Sequence, residues 1–215
     1  MIYYRPTEGD AFTAKIDYRP RTCFLMTQLG KTVPSVIQDI RGSLGDVFLK
    51  HKIDVIDANS VVTGKDFLIK IWRMLLGVPL GIAIIHKEMS QQTFANIFYE
   101  IGLLQAYGKE NLVIKTKGTP VPSDFVRTEY IEFNDGFKER MGKFVDSFFE
   151  QAEYYSSMAD QLDNNPLLAI DYLKRAYLIS GDGQLKKNAK QIFEDAGIVG
   201  RSKNSVELLL VDFCR

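Results

Sequence analysis

Residues 93–109 read Thr-Phe-Ala-Asn-Ile-Phe-Tyr-Glu-Ile-Gly-Leu-Leu-Gln-Ala-Tyr-Gly-Lys. The stretch has helical length and is apolar almost all the way round, through Phe94, Ala95, Ile97, Phe98, Tyr99, Ile101, Leu103, Leu104 and Ala106. Such a pattern predicts a helix inside the protein rather than on its surface. Thr93, Asn96 and Glu100 stand at i, i+3 and i+7, a narrow polar stripe on one face. Taking a carboxylate out of water is costly unless a partner replaces the water. Glu100 is therefore either paired structurally or lines a cleft. Tyr107-Gly108-Lys109 closes the helix, and residues 111–115 follow as a short buried strand.

Working outward from this unit, the same alternation recurs. Thr22–Met26 and Leu80–Ile85 are short apolar runs, the pattern of strands covered on both faces, and Ile53–Asp57 reads as a further strand between them. Between them, Val33–Lys50 and Lys65–Leu76 carry helical periodicity, with Gly42 and Gly45 weakening the first and Gly77 and Pro79 stopping the second. Thr128–Phe133 alternates and predicts an edge strand. Strands separated by helices in this way predict βαβ units and a parallel sheet. In such sheets ligands bind beyond the carboxyl ends of the strands. Here that rim comprises the loops at 27–33, 57–64, 86–93 and 116–127.

From Gly136 onward the pattern is helical only. Phe137, Met141, Phe144, Val145, Phe148 and Phe149 stripe a long helix, expected to run to about Met158. Asn165–Ser180 and Gln184–Ala196 form a helical pair with tetratricopeptide-like spacing, and Ser205–Phe213 a further helix. Only one such unit is visible, whereas solenoids need about three. A helical cap is the simpler reading. The domain expectation is an α/β domain over 20–135 and a helical region over 136–215. The apolar stripe beginning at Phe137 predicts self-association, a two-fold dimer being the commonest form.

Lysine plus arginine and aspartate plus glutamate number 27 each, so the net charge is zero. That argues against a general nucleic-acid binder, which needs a basic surface. Two cysteines at opposite ends, Cys23 and Cys214, predict no structural disulfide and an intracellular, cytoplasmic chain. No signal peptide or membrane span is expected. The two histidines, His51 and His86, lack ligand-type spacing, so no metal site is predicted.

The run Leu80–Ile85, a polar loop, and then Asn96-Ile-Phe-Tyr-Glu-Ile-Gly-Leu-Leu-Gln-Ala-Tyr-Gly-Lys109 resembles the nucleoside 2-deoxyribosyltransferase-like and TIR-like families. Their pattern at this place is approximately Asn-Val-hydrophobic-Tyr/Phe-Glu-hydrophobic-Gly-x-Ala-x-Ala-x-Gly-Lys. The similarity covers about residues 22–133. It implies a flavodoxin-like sheet and a nucleotide or nucleoside ligand. It also implies cleavage or exchange of an N-glycosidic bond, with NAD or a nucleoside as substrate and no separate cofactor. Other members of these families bind nucleotides without catalysis or serve as assembly modules.

By motif position Glu100 inherits the catalytic role. Breaking a C1′–N bond develops positive charge on the sugar, which an ionised acid stabilises or captures covalently. The bland alternative pairs Glu100 with Lys109 or Arg73. Transferase relatives carry an aspartate at the end of the third strand, where this chain has Ile85-His86-Lys87-Glu88. The resemblance therefore carries further for ligand binding than for deoxyribosyl transfer. His86 or Glu88 stands in that place, His86 either as proton donor to a leaving base or as an ordinary loop residue. Asn96 is either a ligand-binding residue or a satisfier of helix-end backbone donors. Residues 27–32 lack Walker A spacing, but Gly30 and Lys31, ahead of a helix, are placed to bind a phosphate. Asp57 either holds a ribose hydroxyl or caps the loop from Asn59.

Overall fold

The computed structural model describes residues 5, 9, 15–30, 33–59, 67–122, 129–162, 164–197, 206, 207, 210, 213 and 214. Five strands alternate with helices: β1 (Thr22–Met26), α1 (Ser35–His51), β2 (Asp54–Ile56), α2 (Phe67–Gly77), β3 (Leu80–Ile85), α3 (Gln91–Ala106), β4 (Glu110–Lys115) and β5 (Tyr130–Glu132). Three helices follow: α4 (Phe137–Asp160), α5 (Pro166–Ser180) and α6 (Gln184–Asp195). Residues 206, 207, 210 and 213 are also helical.

The strands form one sheet in the order β2-β1-β3-β4-β5. Every pair is parallel, with Phe24 opposite both Ile56 and Gly81, Ile82 opposite Leu112, and Ile114 opposite Ile131. This is the flavodoxin-like α/β arrangement expected from the sequence. Order reverses between β1 and β3, the place where such sheets bind ligands. The continuous apolar runs become the inner strands because helices cover both faces. All of β1 and β3 is buried, whereas Val55 on the β2 edge and Tyr130 on the β5 edge stay exposed.

α2 and α3 pack against each other. α1 is bridged to the first half of α4 by Lys138–Asp46 at 2.6 Å, while His51 Nδ1 lies 3.7 Å from the Asp146 carboxylate. α3 lies close on β3 because Gly81 has no side chain. A Cβ there would stand 2.1 Å from Leu104 Cδ1 on α3.

Two expectations are corrected. α3 is not enclosed all round: Ile97, Ile101 and Leu104 are buried, but Ala95 is exposed and Tyr99 is 44% exposed. A helix on a doubly wound sheet has an outward side whatever its composition. The α4 stripe is likewise no free apolar face, since Phe137, Met141, Phe144, Val145 and Phe148 are all buried within the chain. Gly42 and Gly45 lie inside α1 without interrupting it.

The chain divides into two compact units, Arg21–Ser147 and Met1–Pro20 with Phe148–Arg215. The seam between these units falls inside α4. The helix is continuous in secondary structure, but its first turns belong to the sheet unit, where Phe133 and Phe137 stack edge-on at 5.2 Å. In the second unit Asn165 caps α5 by accepting from the Leu168 amide at 3.2 Å, and Gly181 ends it in the left-handed region. α5 and α6 pack as a hairpin around Ala169, Leu173, Ala176, Leu185 and Ala189, with Leu210 and Phe213 in the same cluster.

Candidate functional site

Glu100 sits ten residues after Ser90, the N-cap of α3, whose hydroxyl accepts from the Thr93 amide at 3.2 Å. It is therefore about 15 Å down the helix from the sheet's carboxyl rim. It is half-buried, and no hydrogen bond or ion pair holds it among the described residues. Neither Lys109 nor Arg73 pairs with it. Burial without compensation pushes its pKa from 4.5 up to about 7. The polar stripe is otherwise local in its bonding. Ser90 and Thr93 share a 2.9 Å hydroxyl contact, and Asn96 accepts from the Gln92 amide at 3.0 Å.

His86 follows the last residue of β3 and is 4% exposed. Its Nε2 lies 3.0 Å from Gln28 Oε1, beyond the end of β1. The bond spans the sheet's switch point. Beside it is a pocket of about 230 Å³, lined by His86, Lys87 and Met89 from the β3 exit and by Gln91, Phe94 and Ala95 from α3. Thr119 and Pro120, beyond β4, close its other side. The described pocket thus uses the loops after the third and fourth strands.

Glu100 is not part of this lining. Helical geometry puts it about 120–180° round α3 from Gln91, Phe94 and Ala95, on the side of Thr93 and Asn96. The structure therefore does not gather Glu100 and His86 around one cleft. Asp57 is engaged elsewhere: Arg41 Nη2 donates to its Oδ2 at 2.7 Å, and the Asn59 amide donates to its Oδ1 at 3.0 Å. That is the loop-capping alternative for Asp57, with an ion pair added. Glu88 is exposed in the turn after His86. Gly30 is exposed with φ 141°, a left-handed-side value that suits glycine. Lys31 lies outside the described residues.

Of the pocket lining the sequence singles out only His86, and the other contributors escape it. Gln28, which holds His86, lies 58 positions away and carries no local signal. Arg41 reads as an ordinary helix residue. Phe94 reads as core but is half-buried in the pocket wall. Thr119 is signalled only by its place on the predicted rim. Among the described residues no group of three or more histidine, cysteine, aspartate or glutamate side chains is placed to hold a metal ion.

The fold and the rim site define a flavodoxin-like α/β protein with a pocket beyond the carboxyl ends of β3 and β4. No protein-family model matches the chain, and no curated protein matches it. No helix among the described residues is long and apolar enough to cross a membrane.

Proposed function

We propose that the protein binds a nucleotide or nucleoside and cleaves or transfers its N-glycosidic bond, with Glu100 as the carboxylate that meets the sugar. The observation that carries this reading is the state of Glu100: half-buried, with no partner among the described residues, and with its pKa raised to about 7. Structural acids in such places are ordinarily paired, and strongly perturbed acids cluster at working sites. An ionised Glu100 is poorly stabilised in the resting protein. It gains most from the positive charge that grows on a sugar C1′ as the base departs, so its interaction is strongest in the transition state. As nucleophile, one carboxylate oxygen bonds to C1′ while the C1′–N bond breaks and its electron pair leaves with the base. Water or a second acceptor then takes the sugar.

The test is incubation with NAD and a panel of nucleosides, with chromatographic separation of released base. The wild-type protein is expected to release base from at least one of them, and Glu100→Gln to lose on the order of a hundredfold or more in rate. Because the ionised acid acts, kcat/KM rises with pH through about 7 and then levels off. Unchanged turnover in the variant would remove Glu100 from the chemistry. The competing reading is a catalytically silent nucleotide sensor, favoured by the separation of His86 from Glu100 round α3. Saturable nucleotide binding with no base released from any compound would select it.

A further inference from the structure

The pocket beside His86 has a chemistry of its own, set apart from Glu100 by the body of α3. Its polar lining is His86, Lys87, Gln91 and Thr119, with no carboxylate among the described lining residues. It also adjoins the start of α3, a 16-residue helix whose dipole favours negative charge there. The apolar part is Met89 and Phe94, and the Phe94 ring is steadied by Phe98 one turn on, with ring centroids 4.7 Å apart.

His86 supplies a second, independent pointer to a ligand. It is more than nine-tenths buried, yet lines the pocket. With the Gln28 amide oriented as it stands, Nε2–H donates to Oε1, and no partner for Nδ1 is seen among the described residues. A buried imidazole fixed on one side and open on the other is an arrangement that a ligand completes. Thr119 is buried too, its hydroxyl 2.8 Å from that of Thr116.

We propose that this pocket binds a small planar aromatic ligand bearing one anionic substituent, a carboxylate or a phosphate, independently of Glu100. The ring lies against Phe94 and Met89, and the anion faces Lys87 and the start of α3, with His86 donating to it from Nδ1 when its ring carries both protons. A volume of about 230 Å³ suits one ring and its substituent rather than a dinucleotide. The proposal does not rest on the glycosidic reading and stands if that reading fails.

The chain's two histidines make the test direct, since imidazole proton spectra of the full protein hold two sets of signals, separated by a His51→Gln variant. Benzoate and phenyl phosphate are the probes, with benzamide as the uncharged control and inorganic phosphate as the ringless one. Benzoate or phenyl phosphate is expected to shift the His86 signals saturably and leave His51 in place. Benzamide and inorganic phosphate should bind at least about tenfold more weakly, the loss expected for one charge-assisted contact or one stacked ring. Lys87→Gln, at an exposed position, should weaken benzoate by a similar factor, while Glu100→Gln should leave it unchanged. The proposal is overturned if neither charged probe moves His86 saturably, or if benzamide binds as well as benzoate. Loss of binding in Glu100→Gln would equally overturn it, by merging the two sites into one.

Discussion

Glu100 on α3 and Asp171 on α5 are both carboxylates drawn out of water, and their surroundings treat them in opposite ways. At Asp171 burial is the largest single influence and acts to raise the pKa. The Lys174 ammonium, 2.9 Å away, and Arg175 at 3.2 Å more than offset it, holding the carboxyl well below the usual range. Lys174 itself is fully buried, with the Tyr18 ring 5.8 Å from its ammonium. At Glu100 burial acts alone and the pKa rises to about 7. Burial is thus common to a structural acid and a candidate working one. The cation is what separates them. An acid paired at i+3 and i+4 on its own helix is stabilised as an ion and has little left to offer a substrate.

The largest expected effect comes from turning Asp171 into an acid of the Glu100 kind. Lys174→Met removes the nearest cation but keeps the bulk of the side chain, leaving Asp171 with less compensation for its burial. The expected cost is about 3 kcal/mol at pH 7, read from the urea midpoint. The sign with pH is fixed by the lowered pKa. Asp171 stabilises the fold above the usual carboxylate range and loses that contribution as the pH falls below it. The variant should therefore be most deficient near neutrality and approach the wild type in acid. A loss under about 1 kcal/mol would mean that Lys174 is not what sets Asp171 apart.

The reverse manipulation is Glu100→Gln, with thermal unfolding as the readout instead of turnover. A raised folded-state pKa means that the native state favours the protonated acid. The wild type is relatively most stable below 4.5 and loses stability as the pH climbs through about 7. The full difference is on the order of 3 kcal/mol, and Gln carries no charge at any pH. At pH 8 the variant should be the more stable protein by an amount approaching that figure, and at pH 4 the two should nearly coincide. A variant less stable than wild type at pH 8 would show that the ionised carboxylate is held by something in the fold.

What the sequence discloses follows the same division between local and assembled features. β1 and β3 are legible residue for residue, because a strand buried on both faces is a continuous apolar run bounded by turn signals. The i, i+3, i+7 stripe marks Glu100 as a question. Its answer is not legible, since pairing depends on what neighbouring elements bring within reach. Tyr99 and Ala95 mislead, because composition alone does not say which side of a helix faces the sheet. The Gln28–His86 bond is an accident of strand order, joining the ends of β1 and β3 across the switch point. The α4 seam is invisible for a related reason: one unbroken apolar stripe serves two units in turn.

The smallest effect tests the comparison at its finest grain, by placing a cation beside Glu100. Asn96 is exposed, lies one helical turn before Glu100 and accepts from the Gln92 side-chain amide. Asn96→Lys places an ammonium four residues ahead of the carboxylate, as Lys174 and Arg175 stand three and four residues from Asp171. The gain is modest for two reasons. Lysine N-terminal to glutamate is the weaker orientation of an i, i+4 pair, and an exposed ammonium is screened by water. We expect about 0.3 kcal/mol at pH 8, together with a downward move in the pH at which the fall in stability levels off. That second shift is the sharper readout, because it reports the Glu100 carboxyl itself and not the loss of the Gln92 contact. It should shrink as salt is raised from about 0.05 to 0.5 M, as an exposed pair requires. A pH profile identical to wild type at low salt would mean that the carboxylate points away from its neighbour one turn back. The contrast with Asp171 would then lie in side-chain direction and not in the absence of a cation.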